Sequence, residues 1–390
     1  MGEIDQELQE LNAQIHENPE LCYREVKAHQ NIVSFFMKHK VSVTPHAFGM
    51  DTSFLAEYGK GGRVVTFCAE YDALPDIGHA CGHNLIATSS IAAFFGVRAA
   101  LAATKLPGRV RLLGCPAEEG GGGKIRLIEA GAFTDVDAAI MMHPCPRGID
   151  AKDGISFGSC LAATRYKAVF SGLSAHAGAF PWMGINALDA AALSYSALSM
   201  LRQHIRPTDR LNVIIEEGGQ STNVIVDRAV VALGVRSATK QELLHLASRA
   251  RQCFEGAALA TQCTVEYVDE MKPYDDLRSN KALCIAFSEY MESIGRSFAC
   301  DLQYQFVGGY STDMGNVSYD VPSFHGNFHI PTKSGQNIHS AGFTDAAQSI
   351  EAYKMAIEVA RGMAAIGFKL LQDEAFANDV WKSFESDVPR

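Results

Sequence analysis

The chain lacks an excess of positive charge. Its 34 Lys and Arg residues stand against 44 Asp and Glu residues, which gives a formal net charge of −10 at pH 7. Because a protein that binds nucleic acid must neutralise phosphates with clustered cations, we expect no nucleic-acid partner. With 47% hydrophobic and 20% charged residues, the chain is also unlike a disordered one. Its 390 residues predict two or three folded domains.

Signals for export, membrane insertion and disulfide bonding are also lacking. The first twenty residues are acidic and amphipathic and contain no apolar signal core. We find no run that approaches the roughly 20 apolar residues needed to span a bilayer. The ten cysteines show neither CxxC spacing nor a dense cluster, which indicates reduced thiols. These absences predict a cytoplasmic protein with no membrane partner.

The elements predicted for residues 1–162 are typical of an α/β domain. Helical spacing or an alanine-rich apolar run predicts helices at 3–16, 25–40 and 84–105. Short β-branched or apolar runs predict strands at 63–68, 109–114 and 137–142. Strands that alternate with helices indicate a mainly parallel sheet. Two more helices are predicted at 281–295 and 344–372, and the second would close the chain.

Residues 163–275 predict a domain of different content. Strands are expected at 165–170, 211–215, 229–235 and 263–268, and helices at 186–205 and 240–261. Four strands with two helices are the content of a small α+β sandwich. We therefore predict that residues 163–275 are inserted into a first domain formed by 1–162 and 276–390. Three sequential domains are the alternative.

Three loops that follow predicted strands carry side chains able to bind metals. The loops are EYDALPDIGHACGHN (70–84), GCPAEEGGGGK (114–124) and MMHP (141–144). Open α/β sheets place their sites at the carboxyl ends of strands. Imidazole, thiolate and carboxylate groups are ligands of divalent ions. The candidates are Asp72, Cys81, His83, Glu118, Glu119 and His143.

Each of these motifs also has a structural explanation. A Cys-Gly-His triplet is compatible with a buried thiol beside a hydrogen-bonded histidine, and a Glu-Glu pair with a solvated turn. Here Glu118 and Glu119 follow an apolar strand and precede four glycines, which allow the backbone to approach a ligand. Hydrolysis at a metal needs one carboxylate to bind the ion and another to move a proton.

Four further histidines lie near these motifs or in similar loops. His176 in SAHAG and His339 in QNIHSAG lie among small residues, which weakens the alternative of a core histidine. His79 and His325 receive no role.

In their order along the chain, these motifs resemble a known family. The sequence is similar to the zinc metallopeptidases that include aminoacylase, carnosine dipeptidase and amidohydrolases of N-acyl amino acids. Within that family it looks most like the Xaa-Arg or β-alanyl-lysine dipeptidases and the aminobenzoyl-glutamate hydrolase subunits. The resemblance covers nearly the whole chain. Besides the three loops it includes NPEL, SGLSAHAGAFPWMGINALDA, GGQSTNVIVD, STDMGNVSY and IHSAGF.

The resemblance implies a fold, a cofactor and a set of site residues. It implies a phosphorylase/hydrolase-like catalytic domain with an inserted ferredoxin-like lid or dimerisation domain. A homodimer is expected, also because helix 186–205 is apolar. Two divalent ions per subunit are implied, zinc first, with manganese or cobalt as options. The implied ligands are Cys81 in the bridging position, His83, Glu119, His143 and His339.

The remaining site residues are assigned by the same resemblance. Glu118 would be the general base, and Asp72 would orient a metal ligand. His176, often contributed by the partner subunit in this family, would stabilise the oxyanion. Asn223 and Arg236 would hold the substrate carboxylate or carbonyl, for which a guanidinium is suited.

The implied activity is the metal-dependent hydrolysis of an amide bond in a dipeptide-like substrate. One alternative is an amidohydrolase that removes the acyl group from an N-acyl amino acid. Another is a catalytically inactive binding protein, but no ligand or base is missing. Asn84, where plant indoleacetyl-conjugate hydrolases have aspartate, favours the dipeptidase branch. Val226 replaces a usual proline and Cys115 a usual threonine, and neither change removes a ligand.

Overall fold

The computed structural model describes residues 2–147, 152–302 and 306–387, which form two compact units. The first unit contains the described residues of Met1–Ser159, Leu277–Gly308 and Thr312–Pro389. The second contains those of Cys160–Asp276 and Gly309–Ser311. The chain therefore leaves the first unit after Ser159 and returns to it at Leu277.

The described residues form eleven α-helices, fourteen strands and three short 3₁₀ turns. The helices are α1 (Gly2–Glu17), α2 (Val26–Lys38), α3 (His83–Thr104), α4 (Gly123–Glu129), α5 (Ala187–Leu201), α6 (Lys240–Thr261), α7 (Lys281–Ser293), α8 (Met314–Asp320), α9 (Ala341–Ala347), α10 (Ile350–Gln372) and α11 (Glu374–Ser386). The strands are β1 (Ser42–Pro45), β2 (Phe54–Lys60), β3 (Val64–Glu70), β4 (Gly108–Cys115), β5 (Ala138–Pro146), β6 (Gly154–Ile155), β7 (Gly158–Cys160), β8 (Ala162–Ser171), β9 (Arg210–Glu217), β10 (Arg228–Ser237), β11 (Thr264–Asp269), β12 (Phe298–Ala299), β13 (Phe306–Gly308) and β14 (Ser323–Ile330).

Eight strands of the first unit form one sheet in the order β1-β2-β4-β3-β5-β14-β6-β12. Its centre, β4-β3-β5-β14, is parallel, whereas β1 and β2 extend it in antiparallel fashion. Every residue of β3 is buried, as expected for a parallel strand with both faces covered. The prediction of a mainly parallel α/β domain is confirmed.

Helix α3 forms part of the core of the first unit, where it packs on α10 and β3. By length and composition it could cross a membrane, so the expectation that no apolar run approaches the length of a membrane span was wrong. However, 72% of its most apolar window is buried inside the protein, and the core helix of a globular protein satisfies the same criterion.

The second unit is a ferredoxin-like sandwich. Its elements follow the order β8-α5-β9-β10-α6-β11, and its antiparallel sheet has the strand order β11-β8-β10-β9. Helices α5 and α6 pack on each other and on the central strands β8 and β10. A separate apolar core, which includes Phe170 and Phe254, holds these elements together. The predicted α+β sandwich is confirmed.

The end of the chain differs from the predicted single helix over 344–372. Helix α9 ends at Ala347, and a separate helix, α10, begins after Ser349. The Ser349 side chain accepts a hydrogen bond from the Ala352 amide at 3.2 Å. Asp373 ends α10 and caps α11 by accepting from the Phe376 amide at 3.0 Å. Because serine and aspartate are favoured N-caps, these two side chains divide the segment. Helix α11 follows the helix that was expected to be last.

Candidate metal centre

Loops from three adjacent parallel strands converge at one edge of the large sheet. After β3 the chain carries Cys81 in a loop and His83 at the start of α3, the loop after β4 carries Glu119, and His143 lies within β5. Parallel neighbours end at the same edge, which brings these side chains together. His339 arrives from the segment before α9, where its backbone amide donates to the Ala80 carbonyl at 2.8 Å. All five predicted ligands therefore lie in the first unit.

The turn between Cys81 and His83 requires a glycine. Gly82 has φ +77° and is the N-cap of α3, so His83 is the first helical residue. A Cβ at Gly82 would lie 2.6 Å from Cγ of Pro144, closer than side chains tolerate. The absent side chain thus lets the Cys81–His83 turn pack against the end of β5.

Asp72 connects the loop after β3 with the loop after β4. Its Oδ1 lies 2.9 Å from Nδ1 of His83, and its Oδ2 accepts the Glu119 amide at 2.9 Å. Burial by itself raises the pKa of Asp72, but His83 and these hydrogen bonds outweigh it and lower the pKa below its usual value. A carboxylate at Nδ1 holds the ring proton there, so the neutral ring presents the Nε2 lone pair to a metal.

The predicted ligand atoms lie within reach of common ions. Cys81 Sγ is 3.3 Å from His143 Nε2, and His339 Nε2 is 3.5 Å from Glu119 Oε1. Within each of two groups, Cys81–His83–His143 and Cys81–Glu119–His339, the ligand atoms all lie within 4.8 Å of one another. The two groups share only Cys81. Each group would hold a divalent ion, and Cys81 would belong to both.

Two buried atoms of this cluster support its fit to a cation. His83 Nε2 and Glu119 Oε1 are buried and have no hydrogen-bond partner among the described residues. Such groups cost about 1–3 kcal/mol each when left unsatisfied. Burial and the Glu119 carboxylate raise the pKa of Cys81 well above its usual value, so a thiolate there needs a positive partner. The thiolate, imidazole and carboxylate set is typical of zinc-like ions.

Glu118 lies beside the ligands, as its predicted role as a base requires. It is buried, and its Oε2 is 3.9 Å from His83 Nε2. Burial raises the pKa of Glu118 well above its usual value, and the carboxylates of Glu70 and Glu119 raise it further. A buried carboxyl group that holds a proton so readily is suited to accepting and returning one.

A buried ion-pair network under the site was missed by the sequence analysis. The fully buried Lys124 donates from Nζ to Glu70 and to Asp313 Oδ1, the latter at 2.5 Å. Burial opposes ionisation of Glu70, but Lys124 outweighs it and lowers the pKa of this carboxyl. One signal was available: Glu70 precedes Asp72 by two residues, the spacing at which strand side chains share a face. Nothing local connects Lys124 with Asp313.

His176 and Asn223 lie on adjacent loops of the second unit. The Ala177 amide donates to the Asn223 carbonyl at 2.9 Å. Nδ1 of His176 accepts the amides of Gly178 and Ala179 at 3.2 and 3.1 Å, so the proton of the neutral ring resides on Nε2. The ring is exposed. Its N–H group is therefore a donor of the kind that stabilises an oxyanion.

Arg236 is held at a different point of the same unit. It lies on β10, and its Nη1 donates to Oγ of Ser311 at 2.7 Å. Burial lowers the pKa of Arg236, as does the neighbouring Arg165, but a guanidinium remains charged in proteins. The roles of His176, Asn223 and Arg236 in catalysis stay predictions.

Comparison with known proteins agrees with the geometry in indicating a metal-dependent peptidase. Residues 66–365 match the model of peptidase family M20/M25/M40. The Xaa-Arg dipeptidase of Mus musculus is 38% identical over 398 residues, which cover 99% of this chain and 90% of that protein. One of the p-aminobenzoyl-glutamate hydrolase subunits of Escherichia coli (strain K12) is 34% identical over 271 residues, which cover 65% of this chain and 55% of that protein.

A solved structure shows the same fold. It is that of the Bacillus subtilis YXEP protein, described as a dinuclear metal binding peptidase from the M20 family. The two chains superpose with a TM-score of 0.70 at 19% identity, over 95% of this chain and 99% of the other.

Proposed function

The chain belongs to peptidase family M20/M25/M40 and is a metal-dependent hydrolase of amide bonds, and we propose that its substrate is a dipeptide with a basic C-terminal residue. The hydrolytic activity is carried by one observation: five candidate ligands converge with Glu118 beside them. The substrate class is supported by the similarity to the Mus musculus Xaa-Arg dipeptidase over 99% of the chain.

The residues of the centre would divide the reaction between them. A divalent ion held by these residues would supply a Lewis acid, able to polarise the amide carbonyl and to bring the pKa of water to about 7. Glu118 would take a proton from the attacking water and return it to the departing amine. Asp72 would keep the His83 ring in the orientation and tautomer that binding requires. Nε2–H of His176 would donate to the oxyanion.

The substrate carboxylate would be recognised by the second unit. Arg236 offers a guanidinium, which can bind a carboxylate through two parallel hydrogen bonds. Asn223 adds an amide on the loop that is hydrogen-bonded to the His176 loop. Both an Xaa-Arg dipeptide and an N-acyl amino acid carry this carboxylate, so Arg236 does not distinguish between them.

We propose zinc as the ion, with two ions per subunit. Cys81 belongs to both ligand groups, and a thiolate favours zinc over harder ions. The description of the Bacillus subtilis relative as dinuclear supports the number. Manganese and cobalt are the alternatives. Metal analysis of the purified protein, followed by chelation and reloading with each ion, tests the assignment.

An N-acyl amino acid amidohydrolase is the second candidate. It is favoured by the 34% identity to the p-aminobenzoyl-glutamate hydrolase subunit, whose name describes cleavage of an amide bond to glutamate. A panel of dipeptides ending in Arg, Lys or ornithine, compared with N-acetyl and aromatic N-acyl amino acids, separates the candidates. Higher kcat/KM for the basic dipeptides is expected. Preference for acyl substrates would replace the dipeptidase proposal, and full activity after chelation would overturn both.

We propose a homodimer formed through the second unit. Strand β9 is at the edge of its sheet, and its Ile214 side chain is 60% exposed. Met200 at the end of α5 is 73% exposed. An unpaired strand edge beside apolar side chains is suited to a two-fold contact with a second copy. Light scattering should give twice the chain mass of 42.2 kDa. The Ile214→Lys/Met200→Glu variant should be monomeric, whereas a monomeric wild type would contradict the proposal.

We further propose a cytoplasmic location. The ten cysteines of the sequence show neither CxxC spacing nor a dense cluster, a pattern typical of reduced thiols in a reducing compartment. Fractionation of cells that express the tagged chain tests this location, and recovery in an oxidising compartment would contradict it.

A further inference from the structure

Glu70 carries a carboxylate oxygen that the hydrogen bonds of the fold leave unused. The residue is 1% exposed, and its Oε1 accepts from Nζ of Lys124. Its Oε2 is buried and has no hydrogen-bond partner among the described residues. An ionised oxygen in such a place is costly unless a donor or a cation faces it. The structure therefore indicates that something positive completes this position.

The unused oxygen faces the ring nitrogen that the metal centre needs. Glu70 Oε2 lies 3.6 Å from Nε2 of His83, whereas the nearest oxygens of Glu119 and Glu118 lie 3.8 and 3.9 Å away. Two ligand atoms bound to one zinc ion at roughly 2.1 Å lie about 3.4 Å apart at a tetrahedral angle. Of these three carboxylates, that of Glu70 is the one nearest to this separation.

Lys124 fixes the orientation of the Glu70 carboxylate. Lys124 binds Glu70 and Asp313 through Nζ, and its backbone amide donates to Asp313 Oδ2 at 2.8 Å. The carboxylate of Glu70 therefore cannot turn its second oxygen away without losing the lysine. One lysine also cannot neutralise two carboxylates, so this buried network keeps a net negative charge on the side of His83. That charge favours a cation at His83 Nε2.

We propose that Oε2 of Glu70 is a sixth protein ligand of the metal centre and binds the ion held by Nε2 of His83. This proposal rests on the metal-dependent function above and adds one carboxylate to the five ligands that the resemblance implies. The group Glu70–His83–Glu118, whose ligand atoms lie within 4.8 Å of one another, is the geometric basis. Glu118 keeps its separate role as base.

A structure of the zinc-loaded wild-type protein tests the proposal without a variant. We expect the Glu70 oxygen at roughly 2.0–2.2 Å from one of the ions. A separation beyond about 3 Å, with the ions held by the other five ligands, would overturn this inference and leave the proposed function intact. If the wild-type protein takes up no divalent ion at all, the proposed function fails together with it.

Matched variants of the two carboxylates on Lys124 give a solution test. Glu70→Gln should weaken zinc binding at one of the two sites about 10–100-fold in competition with a chelator. It should also change the absorption spectrum of the cobalt-loaded protein, which reports the ligand set. Asp313→Asn disturbs the same lysine and removes the same charge but has no atom at the centre, so its cobalt spectrum should remain that of the wild type and its zinc affinity should fall less than that of Glu70→Gln.

The outcomes that contradict the proposal are distinct. Wild-type affinity and spectrum in Glu70→Gln would show that the oxygen is not a ligand. An equal loss in Asp313→Asn would show that the lysine network, and not ligation, maintains the site. Circular dichroism and thermal unfolding of the chelated proteins establish that both variants fold. If Glu70→Gln does not fold, the zinc-loaded wild-type structure decides.

Discussion

Oδ1 of Asp72 lies 2.9 Å from Nδ1 of His83, while its Oδ2 accepts the backbone amide of Glu119. One carboxylate thus orients a ligand ring and fixes the loop that carries another ligand. Both contacts need an acceptor, and an amide side chain provides only one acceptor oxygen.

We therefore expect Asp72→Asn to weaken zinc binding about 10–100-fold. The His83 ring would no longer be held in the tautomer that binds a metal, and the loop that carries Glu119 would lose a hydrogen bond. Competition with a chelator measures the affinity. Cys22→Ala is the matched control, since Cys22 donates only a weak bond to Asp72 at 3.6 Å. Unchanged zinc affinity in Asp72→Asn would show that this carboxylate does not support the centre.

The base role of Glu118 predicts a separation of binding from turnover. Glu118→Gln keeps the size of the side chain but cannot accept the proton, so kcat should fall about 10²–10⁴-fold while metal content stays unchanged. Metal analysis and steady-state kinetics on one preparation measure both. Glu10→Gln, at an exposed position of α1, is the control. Substantial activity in Glu118→Gln would exclude its role as the base.

The donor role of His176 predicts a loss mainly in kcat. His176→Ala removes the Nε2–H group and should lower kcat about 10²–10³-fold with little change in KM or metal content. His204→Ala, an exposed histidine of the same unit, should behave as the wild type. A kcat near that of the wild type in His176→Ala would contradict the oxyanion assignment.

Glu25 predicts a pH dependence of stability. It is fully buried, accepts hydrogen bonds from Tyr23, Thr52 and Ala117, and has its pKa raised from 4.5 to about 7 by burial and by Asp72. A raised pKa in the folded state means that the contribution of Glu25 to stability is fully present below pH 4.5 and is lost as the pH rises through 7. A shift of this size corresponds to about 3 kcal/mol.

The variant Glu25→Gln has no proton to lose and should not show this decline. Urea unfolding of the chelated proteins at pH 5 and pH 8 measures the difference. Relative to the variant, the wild type should lose up to about 3 kcal/mol of unfolding free energy between these values. Parallel pH profiles for the two proteins would contradict the raised pKa of Glu25.

Much of the fold was predictable because local periodicity and capping agree with the tertiary structure. The predicted helix 240–261 coincides with α6, which Thr239 caps by accepting from the Glu242 amide. Strand β14 was not predicted: its sequence SFHGNFHI contains a glycine and two histidines and lacks a simple pattern. It is a strand because it pairs with β5, a partner distant in the sequence.

The candidate site also contains residues that the sequence predicted and residues that it did not. Cys81, His83 and Glu119 were predicted to lie at one edge of the sheet because they follow the carboxyl ends of strands in a mainly parallel sheet. His339 depended on the resemblance, since nothing near it in the sequence indicates which loop it meets. Asp313, 189 residues from Lys124, acquires its role only through a contact that folding creates.

The interruption of the first unit determines the order in which a growing chain can fold. Residues 160–276 emerge from the ribosome before β14, and nearly all of the second unit lies within them, so its sheet can close early. The large sheet must wait for Ser323–Ile330 to pair with β5, and α3 must wait for α10. Until then β5 presents an open strand edge, which can pair with other chains. We therefore expect a nascent chain halted before residue 323 to aggregate more readily than the full-length chain.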